Sequence, residues 1–325
     1  MKKTFPSLLY LIIAALFMLT ACGSKAAPTA TPLVSPTATS MSPAATSMPP
    51  TATSMPPTAT STSGVGVTMI GKNGETLVYV PEGEFMMGSD NGKSDEKPVH
   101  AVYLDAFWID QTEVTNKQYQ ACVDAGVCEP PSSIESYTHP NYYGNPEFDD
   151  YPVIYVNWDK ANRYCEDWAG GDLPTEAQWE KAASWNDLTQ EKYVYPWGND
   201  FDGSLGNFCD VKCAIEQLAD KNSNDGYADT APVGNYSNGV SPYGIYDMAG
   251  NVWEWVNDWY GENYYYESPP SNPLGPDSGQ KRLLRGGSWV NTNNSFPSGT
   301  RSAMRFRSLP DGSDGVGFRC ASSLP

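Results

Sequence analysis

The chain has 325 residues, enough for one large domain or two small ones, with 20 Lys and Arg against 38 Asp and Glu and a formal charge of −18. That balance argues against nucleic acid as a partner, because gripping a phosphate backbone needs a basic face. Residues 1–64 hold Lys2, Lys3 and Lys25 and no acid, so the other 261 residues carry a net charge of −21 and all ten tryptophans.

Lys2 and Lys3 precede an apolar run from Leu8 to Leu19, followed by Thr20, Ala21 and Cys22. A positive start, a short apolar stretch and a small residue before the cut describe an export signal over residues 1–21. The run is short for a membrane span, which needs roughly 20 residues. Leu19-Thr20-Ala21-Cys22 resembles a bacterial lipobox. That resemblance implies that Cys22 is lipidated and begins the mature protein; the plain alternative is a cleaved signal that leaves Cys22 spare. Residues 22–64 are mostly Pro, Thr, Ala, Ser and Met, with a seven-residue unit starting at Pro36, Pro43, Pro50 and Pro57. A proline in every unit excludes a coiled coil, and the composition describes an extended stalk. The expected organisation is a signal (1–21), a lipidated cysteine and stalk (22–64), and a domain (65–325). The expected location is the bacterial cell envelope outside the cytoplasm, with the membrane reached only through the lipid.

Within the domain, Thr76 to Pro81 and Phe85 to Gly88 read as short strands around a turn at Glu82 and Gly83. Val99 to Leu104 alternates, and Ala106 to Ile109 follows as another strand. Thr115 can cap a helix running to Ala125 and ended by Gly126. Asn157 can cap a second helix, with Trp158, Ala161, Cys165 and Trp168 on one stripe and Gly170-Gly171 ending it. Thr175 with Gln178 three residues on is a capping-box pattern for a third. Residues 193–244 are rich in Gly, Asn, Asp and Pro and are expected to be irregular, as segments that are functional or pinned by ions or disulfides are. Final strands are expected at Asn251–Trp255, Arg282–Trp289 and Gly317–Cys320. Few helices, short strands and much loop make an α+β domain rather than a parallel sheet of repeated βαβ units.

If Cys22 carries lipid, six cysteines remain, and an even number in an exported chain suggests disulfides. Cys122 with Cys128 and Cys209 with Cys213 can close small loops, leaving Cys165 and Cys320 as a long-range pair. Buried free thiols are the alternative. Zinc is the weaker one, because the spacings are unusual and only His100 and His139 could help.

Seven ordered motifs are Glu82-Gly-Glu-Phe-Met-Met-Gly88, Glu113-Val-Thr-Asn116, Leu173-Pro-Thr-Glu-Ala-Gln-Trp-Glu180, Tyr195-Pro-Trp-Gly198, Gly250-Asn-Val-Trp-Glu-Trp255, Arg285-Gly-Gly-Ser-Trp289 and Gly317-Phe-Arg-Cys320. Together, over about residues 67 to 322, the chain resembles the formylglycine-generating enzyme (sulfatase-modifying factor) domain family. The resemblance implies an irregular, loop-rich variant of the C-type lectin fold and a Cys165–Cys320 disulfide. It also implies two calcium sites, one from Asp247, Gly250, Val252 and Glu254 and one from Asn207, Phe208, Asp225 and Tyr227. Mixed carboxylate and backbone oxygens are what calcium takes. A strand over Trp253 to Trp255 would put both indoles on one face and Glu254 on the other, toward Asp247. The expected role of calcium is structural.

Enzymes of that family oxidise a cysteine of an exported sulfatase chain to formylglycine with O2 and a copper ion on two thiolates, a soft donor set suited to Cu(I). The resemblance places those cysteines three and eight residues after Ser288, where this chain has Asn291 and Phe296. No copper is therefore expected, and no catalytic residue is assigned. His100 and His139 sit beside prolines, and nothing near Ser288 resembles a nucleophile elbow. The remaining expectation is a binding module for a protein or small ligand. Residues 288–305 mix small, polar and aromatic side chains with a few arginines, a composition that makes adaptable contacts. Ser288, Trp289, Asn291, Asn293, Asn294, Phe296 and Arg301 are the candidate contact residues, although Trp289 can equally be core and the asparagines turn formers. The alternative class is a divergent oxidase of the same family acting on exported proteins.

Overall fold

The structure, a computed structural model, describes residues 65–292, 301–308 and 312–323. In chain order it forms β1 (Thr68–Ile70), β2 (Thr76–Val80), β3 (Gly83–Met87), β4 (His100–Leu104), β5 (Phe107–Asp110), α1 (Asn116–Asp124), α2 (Trp158–Arg163) and α3 (Glu176–Ser184). It continues with β6 (Trp185–Asn186), β7 (Glu191–Lys192), β8 (Trp253–Trp259), β9 (Arg282–Arg285), β10 (Phe306–Ser308), β11 (Val316–Phe318) and β12 (Ala321–Ser323). Among the described residues no helix is long and apolar enough to cross a membrane.

Two four-stranded sheets carry the domain, ordered β1-β2-β5-β12 and β10-β9-β8-β11. The first is antiparallel throughout. In the second, β11 lies parallel to β8, which no hairpin could deliver, so a long connection brings the C-terminal end back. The β3–β4 hairpin forms a separate ribbon. Its neighbour α3 covers the start of that ribbon with a lysine: the buried Lys181 Nζ donates to Pro81 O at 2.7 Å and Gly83 O at 3.1 Å. Burial lowers the Lys181 ammonium to about 8.

Helix starts follow their caps. Thr115 Oγ1 accepts the Gln118 N–H and Gln118 Oε1 accepts the Thr115 N–H, and Thr175 and Gln178 repeat the arrangement. Each such cap contributes about 1 kcal/mol. Asn157 caps α2, but the α-helix ends at Arg163 and residues Tyr164–Ala169 widen into a π turn, shorter than the expected run to Gly170. That wider turn puts the Cys165 carbonyl under two donors, the N–H groups of Gly170 and Gly171, each at 2.9 Å. The expected strand Arg282–Trp289 stops at Arg285, because Gly286 and Gly287 take left-handed φ of 91° and 82° and turn the chain inward. Residues 193–244 hold no regular element, as expected.

All six domain cysteines are paired: Cys122–Cys128, Cys165–Cys320 and Cys209–Cys213. One apolar cluster packs β2, β3, β4 and β5 against Trp179 of α3. A second gathers Tyr119, Tyr164, Trp255 and Phe318 around the Cys165–Cys320 bridge. Arginines are fully buried too. Arg285 reaches Glu176 at 3.0 Å, Glu180 at 2.6 Å and Ser302 O at 2.6 Å, and Arg305 clasps Glu176 from the other side.

Asp110, at the end of β5, accepts the Cys320 N–H at 2.8 Å. Burial raises its carboxyl to about 7, with the Cys320 hydrogen bond opposing. A carboxyl whose folded pKa lies above its unfolded one keeps its proton longer in the folded state, so its effect on stability is a loss as pH rises from about 4 to about 7. Asp110→Asn keeps an acceptor for Cys320 and should flatten the fall in stability across that window by about one proton. Urea unfolding of both proteins at several pH values checks this, and parallel curves would contradict it.

Candidate functional site

The segment after the double glycine is spent inward. Ser288 is fully buried, and its N–H donates to Asn291 Oδ1 at 2.7 Å, so the Asn291 amide closes its own turn. The Asn291 carbonyl accepts the Cys209 N–H at 3.0 Å. Trp289 packs with the Cys209–Cys213 disulfide, Ile215 and Val290, and its indole donates to Asp314 O at 3.2 Å. Tyr137, 53% exposed, lies with its ring centroid 5.4 Å from that of Trp289. Ser288, Trp289 and Asn291 thus shape the surface from beneath. Asn293, Asn294 and Phe296 lie outside the described residues, as does Cys22.

Arg301 reaches a cleft of about 310 Å³. Its guanidinium pairs end-on with the buried Glu96 at 2.8 and 2.9 Å. Opposite it, Lys192 is tied to Glu180 and to the Gly88 carbonyl. Met86, Val99, Tyr193 and Val194 supply apolar walls, and Ser89 to Asn91 supply a polar lip. Both cations are matched by buried carboxylates, so the cleft offers oriented N–H donors rather than net positive charge. Lys192 and Tyr193 carry no sequence signal that would have marked them. Their place in the cleft depends on α3 and the β6–β7 hairpin, which bring them beside Gly88.

Two polar cages stand behind this surface. In the first, both oxygens of Asp225 accept main-chain N–H groups, from Tyr227 at 2.9 Å and Phe208 at 2.8 Å. The Asp225 N–H donates in turn to the buried Asp210 carboxylate. Burial raises Asp225 to about 7, with the two N–H groups opposing and Asp210 adding to the rise. Asn207 Oδ1 is buried with no partner. An orphaned amide oxygen and a desolvated carboxylate are the donor types a hard cation takes.

The second cage holds three carboxylates and one cation. Glu254 is clasped by Arg319 at 2.7 Å on each oxygen and accepts the Trp179 indole N–H at 2.8 Å. Asp247, in a left-handed conformation, accepts the Gly234 N–H at 2.6 Å. Glu113, outside the set expected from sequence, joins them: it takes Asn251 Nδ2 on Oε1 at 3.0 Å and keeps a buried Oε2 without a partner. Burial drives the Glu113 and Asp247 carboxyls upward, with the nearby Arg319 opposing in both. Gly250 has φ of 93° and a Cβ there would lie 2.5 Å from Asn207 O, so the chain passes too close for any side chain. Among the described residues no three His, Cys, Asp or Glu side chains form a metal-binding group. A cation at either cage would have to draw on amide and main-chain oxygens as well, donors that calcium takes more readily than zinc.

Comparison with known proteins bears on this arrangement. Residues 67–324 match the family model described as "Sulfatase-modifying factor enzyme 1-like domain". A formylglycine-generating enzyme of Streptomyces coelicolor is 35% identical over 291 residues, covering 75% of this chain and 88% of that one. A serine/threonine-protein kinase, pkn1, of Chlamydia caviae is 34% identical over 270 residues, but this chain spans 38% of its length. The solved structure of PvdO from Pseudomonas aeruginosa superposes with a TM-score of 0.62 at 24% identity, covering 80% of this chain and 99% of that one, a likeness of fold.

Proposed function

The chain belongs to the sulfatase-modifying factor enzyme 1-like family, and we propose that it serves there as a non-catalytic binding module, tethered outside the cytoplasm by a lipid on Cys22. Its irregular α+β fold is the C-type lectin-like one of formylglycine-generating enzymes. The observation that carries the reading is Asn291. Where the family resemblance puts a copper thiolate, this chain has a buried amide committed to Ser288, and the six domain cysteines are all bonded to one another. An amide and the phenyl ring of Phe296 are no substitute for two soft sulfurs. The contact surface proposed is the Arg301 cleft, supported from beneath by Ser288, Trp289 and Asn291; Asn293, Asn294 and Phe296, which lie outside the described residues, stay proposed contact residues on sequence alone. The partner is a protein or a small ligand, and the net charge of the domain argues against nucleic acid.

Calcium in the two cages is part of the proposal. Asn207, Phe208, Asp225 and Tyr227 would hold one ion, and Asp247, Gly250, Val252 and Glu254, with Glu113, the other. The ions would supply positive charge that the buried carboxylates lack and would fix the irregular 193–244 segment.

Two measurements on the exported protein test the reading. Copper-loaded protein mixed with a sulfatase-type cysteine peptide and O2 should give no aldehyde, and aldehyde formation with stoichiometric copper would establish the oxidase instead. A calcium chelator should lower the melting temperature, since each ion present at 100 times its Kd contributes about 2.7 kcal/mol. An unchanged melt would remove calcium from the proposal.

A further inference from the structure

The two cages meet at one residue. Asn251 stands between Gly250 and Val252, buried and in a left-handed conformation with φ of 55°. Its N–H donates to Asn207 O at 2.9 Å, and its Oδ1 accepts from Asn207 Nδ2 at 3.0 Å. The same Oδ1 accepts the Ala231 N–H at 2.9 Å. Its Nδ2 donates to Glu113 Oε1 at 3.0 Å. Its carbonyl accepts the Trp289 N–H at 2.8 Å. One amide side chain therefore touches a residue of each cage, and its main chain holds the turn beneath the proposed contact surface.

A second path leaves Asn207 for the same tryptophan. Asn207 Nδ2 also donates to the Asp229 carbonyl at 2.8 Å. The Asp229 carboxylate then fixes the 136–138 loop, accepting from Ser136 Oγ and Thr138 Oγ1 at 2.7 Å each and from the Thr138 N–H at 2.9 Å. Tyr137, between them, lies against the Trp289 ring. The Trp289 N–H and the Tyr137 ring beside its indole thus both trace back to Asn207.

We infer that Asn251 couples the two cages, so that a calcium ion in one favours an ion in the other and both steady the Trp289 turn. The inference rests on the calcium reading and adds a regulation to it. The physical reason is the rigid plane of an amide. A cation on Asn207 Oδ1 fixes the Asn207 amide, which fixes Asn251 Oδ1. The Asn251 Nδ2 on the same plane is then held on Glu113 Oε1, leaving Oε2 for the second ion. The first ion meets the ordering cost of this chain of groups and the second does not, which is positive cooperativity without a large movement. Coupling of this kind typically changes affinity by about 5- to 150-fold.

The test is a calcium titration of the metal-stripped full-length protein by calorimetry, with hydrogen exchange at residues 286–292 read in parallel. Asn251→Gly keeps the left-handed backbone and its N–H and carbonyl bonds, and removes the amide with its bonds to Asn207, Glu113 and Ala231. The wild type should take up two ions with a Hill coefficient above 1, the second about ten-fold tighter, and calcium should slow exchange of the Trp289 amide. In Asn251→Gly the two ions should bind independently, with little added protection at Trp289. Two independent ions in the wild type, or unchanged cooperativity in the variant, would overturn the coupling and leave calcium binding intact. No calcium uptake by the wild type would overturn both. Where Asn251→Gly does not fold, Asn251→Asp serves: it keeps the acceptor for Asn207, faces Glu113 with an oxygen, and should weaken the second ion selectively. Equal weakening of both ions by that change would overturn the coupling as well.

Discussion

Replacing Cys165 and Cys320 together by serine should lower the unfolding free energy by about 5 kcal/mol, the largest effect of any disulfide in the chain. The bridge closes a loop of 155 residues, so removing it frees far more chain in the unfolded state than removing Cys209–Cys213, separated by 4. The same loop-entropy relation gives about 2 kcal/mol for the short one. The long bridge is also tied to two main-chain features. Cys165 ends the π turn through its carbonyl, and the Cys320 N–H is held by the buried Asp110. Urea unfolding of the double-serine protein against the wild type measures the difference. A loss below 1 kcal/mol would mean that the unfolded chain keeps the two ends together without the bond.

Arg285→Met should cost about 3–5 kcal/mol, although methionine is apolar and of similar length. Arg285 is fully buried between Glu176 and Glu180, and its other bond goes to the Ser302 carbonyl. Burial alone would raise the Glu180 carboxyl, yet Lys192 and Arg285 hold it down to about 2. Stability gained from a depressed carboxyl is present above its unfolded pKa and lost as pH falls through the folded one. In the Met variant that loss should therefore begin at a higher pH than in the wild type. Arg285→Lys should not restore stability, since a single ammonium cannot reach two carboxylates and a carbonyl in one plane. A chemical-denaturation series at pH 7 and pH 4 separates these outcomes. Equal stability of the Met and wild-type proteins at both values would show that the clasp contributes nothing net.

How much of this was legible in the sequence differs by element. Helix starts were, because Thr115, Asn157 and Thr175 announce themselves through side chains that bond the next turn. Helix ends were less so. The stripe Trp158, Ala161, Cys165 and Trp168 has helical spacing whether the last turn is α or π, and only the disulfide and the paired glycine donors decide it. The strands β1, β6, β7, β10 and β12 are two or three residues long, too short for alternation to register. The expected disulfide pairs are those the structure forms.

At the candidate site, composition pointed to residues 288–305 as a surface, but polarity alone does not say which way a side chain faces. Asn291 and Ser288 satisfy each other inside the turn, and Trp289 needed only a disulfide to pack on. Glu113 was missed as a partner of Asp247 because 134 residues of chain separate them, and nothing local marks a glutamate that will be buried.

The order β1-β2-β5-β12 has a consequence for engineering. With every neighbour antiparallel, β1 starts and β12 finishes at the same end of the sheet. Three inter-strand steps separate them, about 15 Å. A linker of about five residues spans that gap. New termini could then be opened in an exposed loop, or the whole domain grafted into a host protein's hairpin, without disturbing the cages or the cleft.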